Sequence, residues 1–84
     1  MTVDSVIREI AEAIRERDAD RALPLAERLL GEPLNPRLKK TLTAVVAALR
    51  TVKVVNSPYT WSLCESALEK FERELFSYWK TSRW

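Results

Sequence analysis

Apolar residues recur near the N-terminus at intervals of three and four, which is the spacing of an α-helix. This first series consists of Val3, Val6, Ile7, Ile10, Ala13 and Ile14. Side chains with that spacing lie on one side of a helix, so the pattern predicts an amphipathic first helix. Thr2 is expected to cap its start, and Asp4 suits the positive end of the helix dipole.

A second, shorter apolar series follows, interrupted by a proline. It consists of Ala22, Leu25, Ala26, Leu29 and Leu30. Because proline is tolerated only in the first turn, Pro24 predicts that a regular helix starts near residues 20–23. A single helix over residues 3–30, kinked at the proline, is the alternative. Gly31 is expected to end the segment, because glycine accepts the left-handed backbone conformation that follows many helices.

Two longer apolar series each follow a start signal, Asn35-Pro36 and Ser57-Pro58. The third series is Leu38, Leu42, Val45, Leu49 and Val52, widened by Val46, Val54 and Val55. The fourth is Trp61, Cys64, Leu68, Phe71, Leu75 and Tyr78. Both spacings predict helices. The β-branched residues near the end of the third series leave a strand over residues 51–55 as an alternative.

Four amphipathic segments with short connections predict a small all-α bundle of about four helices. It is either an antiparallel bundle or two stacked helical hairpins. The length of 84 residues suits a single domain over residues 1–84. With no signal-like start and no apolar run near the ~20 residues that span a bilayer, we expect a cytoplasmic protein without membrane attachment. The absence of His and Gln, with a single Met, resembles a thermophile's composition.

The residue types available exclude most catalytic and ligand-binding chemistry. Without His, and with one Cys and one Gly, the chain lacks the usual general base, zinc ligand sets and phosphate loops. Cys64 falls on an apolar stripe and is interpreted as a small buried hydrophobe. The glutamates of the first and fourth helices are interpreted as solvated faces. We therefore expect a protein that is not an enzyme, with no catalytic residue, no metal, no cofactor and no small-molecule substrate.

Charge is segregated along the sequence. Residues 33–64 contain no acidic residue and five basic ones, which are Arg37, Lys39, Lys40, Arg50 and Lys53. This segment therefore has a charge of +5, whereas the rest of the chain has a charge of −3. On a helix turning about 100° per residue, Lys39, Arg50 and Lys53 fall within about 60° of one another. One interpretation is a surface that binds phosphate groups. The other is internal complementation, with this helix packed beside the acid-rich first and fourth helices.

Every aromatic residue lies in the fourth segment: Tyr59, Trp61, Phe71, Phe76, Tyr78, Trp79 and Trp84. Trp61 and Trp79 sit at the edge of the apolar stripe, and Phe76 lies beyond that edge among glutamates. Large aromatics at an edge are favoured at protein interfaces. The alternative is that neighbouring helices cover this edge within one chain.

These observations predict a non-enzymatic interaction module, either a homodimer or a protein that docks on a partner. Trp61, Phe76 and Trp79 would be the apolar anchors, with Glu72 and Arg83 at the rim. The alternative function is auxiliary nucleic-acid binding through the basic residues of segment 33–64.

Overall fold

Four α-helices account for most of the chain in the computed structural model, which describes the backbone of residues 3–82 and the side chains of residues 5–77. The helices are α1 (Val3–Arg15), α2 (Ala19–Leu30), α3 (Pro36–Val54) and α4 (Pro58–Ser82). The all-α prediction is confirmed. The alternative strand over residues 51–55 is wrong, because α3 continues through Val54. Thr2 and the side chain of Asp4 lie outside the described residues.

The turn between α1 and α2 is formed by Arg17, which has a left-handed backbone with φ of 59°. The N–H of Asp18 donates to the carbonyl of Ala13 (2.8 Å), and the N–H of Arg17 donates to the carbonyl of Ile14 (3.1 Å). This pair of bonds satisfies the end of α1. Asp18 then caps α2 by accepting from the N–H of Arg21 at 3.2 Å. The first thirty residues therefore form two helices, and the single kinked helix is wrong.

Two details of α2 differ from the sequence prediction. The helix begins at Ala19, earlier than expected, because Asp18 caps it. The prediction of a later start depends on the position of Pro24 and does not use this cap. Pro24 consequently lies in the second turn. Gly31 does follow the last helical residue, but its φ of −75° and ψ of −12° are right-handed, so the expected left-handed glycine is wrong.

The starts of α3 and α4 confirm the two predicted start signals. The side chain of Asn35 accepts from the N–H of Arg37 at 2.8 Å. At α4, the N–H of Ser57 donates to Oγ1 of Thr60 (3.0 Å), and the N–H of Thr60 donates to Oγ of Ser57 (3.3 Å). This reciprocal arrangement is a capping box in which threonine takes the place of the usual glutamate.

The helices form two hairpins, α1–α2 and α3–α4, that stack mainly through α2 and α3, while α1 and α4 touch only slightly. The interior is built from the predicted stripes. Its most deeply buried larger side chains are Ile10, Ile14, Leu29, Leu42, Val45, Leu49, Val52, Cys64 and Phe71. In the described part of the chain, no helix is long and apolar enough to span a bilayer. The slight contact between α1 and α4 leaves one side of the stack open.

Candidate interaction surfaces

The open side of the stack is a groove of about 680 Å³ between α1 and α4, named here the α1–α4 groove. Its lining consists of Ile7, Arg8, Ala11, Glu12, Arg15, Glu72, Leu75 and Phe76. Ile7 and Leu75 are mostly buried and form its apolar floor. Phe76 is 69% exposed at the α4 wall. A single copy of the chain therefore leaves an apolar concavity with an aromatic side chain beside it.

The charged walls of the α1–α4 groove carry both signs. Arg8 and Arg15 stand on α1, each about one turn from Ala11 and on either side of it along the helix, and Glu72 stands one turn before Phe76 on α4. Among residues with described side chains, no ion pair links either arginine or Glu72 to another group. Within the described side chains, the α1 wall thus presents two cations without an ion pair beside the paired Glu12, and the α4 wall presents one carboxylate without an ion pair.

The expectation that Trp61 stands exposed at the edge of the core is wrong. Its side chain is 4% exposed, and its indole N–H donates to Oδ1 of Asn56 at 2.8 Å. The guanidinium of Arg17 lies 5.3 Å from the centre of the indole ring and also pairs with Glu65. The α1–α2 turn therefore covers Trp61, which is an interior residue and is not available as an interface anchor.

The structure describes the remaining predicted interface residues only in part. Glu72 is exposed at the groove, as described. Trp79 lies on α4, but its side chain is outside the described residues, and so is the whole of Arg83. Their place at an interface stays a prediction.

The predicted basic surface divides into two parts. Arg50 lies 3.5 Å from the carboxylate of Glu27, and the ammonium of Lys53 lies 3.3 Å from that of Asp20. These two cations therefore complement acids within the chain. The acids belong to α2, and not to α1 or α4 as expected, because α2 is the helix that packs along this flank of α3.

The other three basic residues stay free of ion pairs in the described part of the chain: Arg37, Lys39 and Lys40. Arg37 and Lys40 line a second groove of about 440 Å³ between α3 and α4, together with Thr41, Ala44, Lys70 and Glu74. All of these cations lie in the first turns of α3 or across from them. The positive end of the helix dipole disfavours cations there, so their placement does not stabilise α3.

A group of exposed apolar residues around the α3–α4 turn was missed by the sequence analysis. Val54 is 84% exposed, Val55 53%, Tyr59 72% and Leu63 41%. The two valines were assigned to the apolar stripe of the third helix. A helical projection contains the missing signal, because Tyr59 and Leu63 fall on the side of α4 opposite to Cys64 and Leu68.

Cys64 does not supply reactive chemistry. It is fully buried, and burial raises the pKa of its thiol from 9.0 to about 11, so the thiol stays protonated at neutral pH. Within the described residues, no cluster of His, Cys, Asp or Glu is arranged to hold a metal ion.

The chain was also compared with known proteins. No protein-family model, no curated protein and no solved structure matches it.

Proposed function

We propose that this protein is a non-enzymatic interaction module that self-associates through the α1–α4 groove. The observation that carries the proposal is Phe76, 69% exposed beside an apolar floor formed by Ile7 and Leu75. Large aromatic side chains next to apolar concavities are typical anchors of protein interfaces. Trp79, on α4, and Arg83 belong to the same proposal.

A second copy suits the groove because its charges are self-complementary. A two-fold axis that runs along the groove, parallel to its helices, brings the α1 wall of one copy opposite the α4 wall of the other. Arg8 and Arg15 of each copy then face Glu72 of its partner, while Glu12, which stands between the two arginines, is already paired with Arg21 of its own chain. Both halves of the interface thereby gain opposite-charge contacts. A foreign partner would need to supply both signs in the same arrangement.

Sedimentation of the wild type and Phe76→Asp tests the proposal. The wild type is expected to be dimeric at high micromolar concentration, and the variant is expected to dissociate at least about tenfold more readily, since a buried carboxylate opposes association. Tyr59→Asp is the matched control, because Tyr59 is equally exposed but lies on another side of α4. A wild type that is monomeric at that concentration rejects self-association. Equal effects of the two variants reject the groove as its site.

Nucleic-acid binding remains the alternative, with a smaller surface than the sequence suggested. Arg50 and Lys53 are already paired with α2, which leaves Arg37, Lys39 and Lys40 free for phosphates. Electrophoretic shift with DNA and RNA at two salt concentrations tests it, since phosphate contacts weaken steeply with salt. Unchanged affinity in the double variant Lys39→Glu with Lys40→Glu would reject this function.

A further inference from the structure

The side of the α3–α4 hairpin that faces away from α2 is one continuous surface, named here the outer hairpin face. It consists of Arg37, Lys40, Thr41, Ala44, Ala47, Ala48, Thr51, Val54 and Val55, with Tyr59, Leu63, Ala67, Lys70 and Glu74 from α4. The second groove joins the two rows at one end, and the α3–α4 turn joins them at the other. All of these residues are exposed or half-buried.

The outer hairpin face changes character along its length. At the start of α3 it is cationic, with Arg37, Lys40 and Lys70 around the half-buried Glu74. Its middle consists of alanines and threonine, and its far end is the exposed apolar group at the turn. Past its first turns, α3 is thus apolar both toward the core and on this face, and an apolar helix surface is normally covered.

The polar groups in the middle of this face are satisfied by the hairpin itself. The hydroxyl of Thr51 donates to the carbonyl of Ala47 at 2.9 Å, and the hydroxyl of Thr41 donates to the carbonyl of Leu38 at 3.0 Å. Arg50 and Lys53 point away from the face, toward their partners on α2. An apolar occupant would therefore leave no hydroxyl of these threonines unpaired.

We infer that the outer hairpin face docks an amphipathic helix of another protein, apolar at one end and acidic at the other. Two packed helices provide the groove that such a helix occupies in helix-in-groove recognition. The 19 residues of α3 extend over roughly 28 Å, about the length of an 18-residue helix. The acidic end would lie against Arg37, Lys40 and Lys70, and the apolar end against Val54, Tyr59 and Leu63.

Charge argues against the other occupants. Two copies paired in parallel through this face would bring their cationic ends together, and two copies paired in antiparallel fashion would place cations against the apolar end. A lipid surface would need cations beside the apolar group, but Lys40 and Val54 are about 21 Å apart along α3. A phosphate backbone would not use the apolar half of the face, and Glu74 would repel it.

Fluorescence anisotropy with two labelled peptides of about 18 residues tests this inference. Both are alanine-based helices with leucines on one side of one half. The first carries glutamates on the same side of the other half, and the second carries lysines there. The titrations use the full chain, in the wild type and in Phe76→Asp, so that dimerisation and docking are measured independently.

The glutamate peptide is expected to bind at least about tenfold more tightly than the lysine peptide. Lys40→Glu and Leu63→Asp should each weaken its binding by about fivefold or more. Their matched controls, Lys39→Glu and Ser62→Asp, introduce the same charges beside the face and should leave binding unchanged. Absence of binding, equal binding of the two peptides, or equal effects of target and control variants would overturn the inference. So would preference for a DNA duplex that is lost in Lys40→Glu but retained in Leu63→Asp.

Discussion

Burial determines the chemistry of Cys64. Its pKa of about 11 lies above the 9.0 of an exposed thiol, so the protonated form is favoured in the folded state. This contribution to stability is fully present below pH 9 and is lost as the pH rises through 11. We expect the unfolding free energy to fall more steeply between pH 9 and pH 11 in the wild type than in Cys64→Ala, as measured by urea titrations. Parallel pH profiles of the two proteins would show that the thiol is not buried as described.

Trp61 and Tyr59 are two residues apart and have opposite environments. Trp61 is 4% exposed and bonded to Asn56, whereas Tyr59 is 72% exposed. Trp61→Ala is expected to cost about 3–5 kcal/mol of unfolding free energy, because it opens a cavity in the core. Tyr59→Ala should change the unfolding free energy by no more than about 0.5 kcal/mol. Similar losses in chemical denaturation of the two variants would contradict the placement of Trp61.

The junction of α1 and α2 depends on the left-handed residue Arg17. Glycine adopts this conformation without the steric cost that alanine carries, so Arg17→Gly should be more stable than Arg17→Ala by about 1 kcal/mol. Both variants lose the same side chain, which isolates the backbone term. At the exposed helical position Lys39 the order should reverse, with alanine more stable than glycine by about 1 kcal/mol. Urea denaturation of the four variants checks this, and equal stability of the two Arg17 variants would rule out the left-handed turn.

The elements that the sequence predicted well are those with local causes. Asn35 and Ser57 cap helices through hydrogen bonds to groups within three residues. The dipeptides that they form with the following proline are therefore sufficient to predict where α3 and α4 begin. The α1–α2 junction was left open because its left-handed residue is an arginine, held by contacts with Trp61 and Glu65 far along the chain. The left-handed backbone predicted for Gly31 follows from its residue type alone. Pro33 already prevents the helix from continuing, so the end of α2 does not require that conformation.

At the scale of the whole molecule, the sequence predicts which residues are unusual better than it predicts which residues surround them. Periodicity was sufficient to place Phe76 outside the core, since that depends only on its angle around α4. The cover of Trp61 and the pairing of Lys53 with α2 depend on how the hairpins stack, which one sequence does not specify. The outer hairpin face is not predictable from periodicity for the same reason, because the spacing alone places the exposed Val54 and Val55 with the apolar stripe of α3.

Charge exchange across the α1–α4 groove tests most directly whether a second copy of the chain closes it. In sedimentation, Glu72→Arg should weaken dimerisation by about fivefold or more, because it faces Arg8 and Arg15 of the partner copy. Adding Arg8→Glu and Arg15→Glu to that variant should restore the affinity. A triple variant that dissociates at least as readily as Glu72→Arg alone would contradict the two-fold pairing of the two walls.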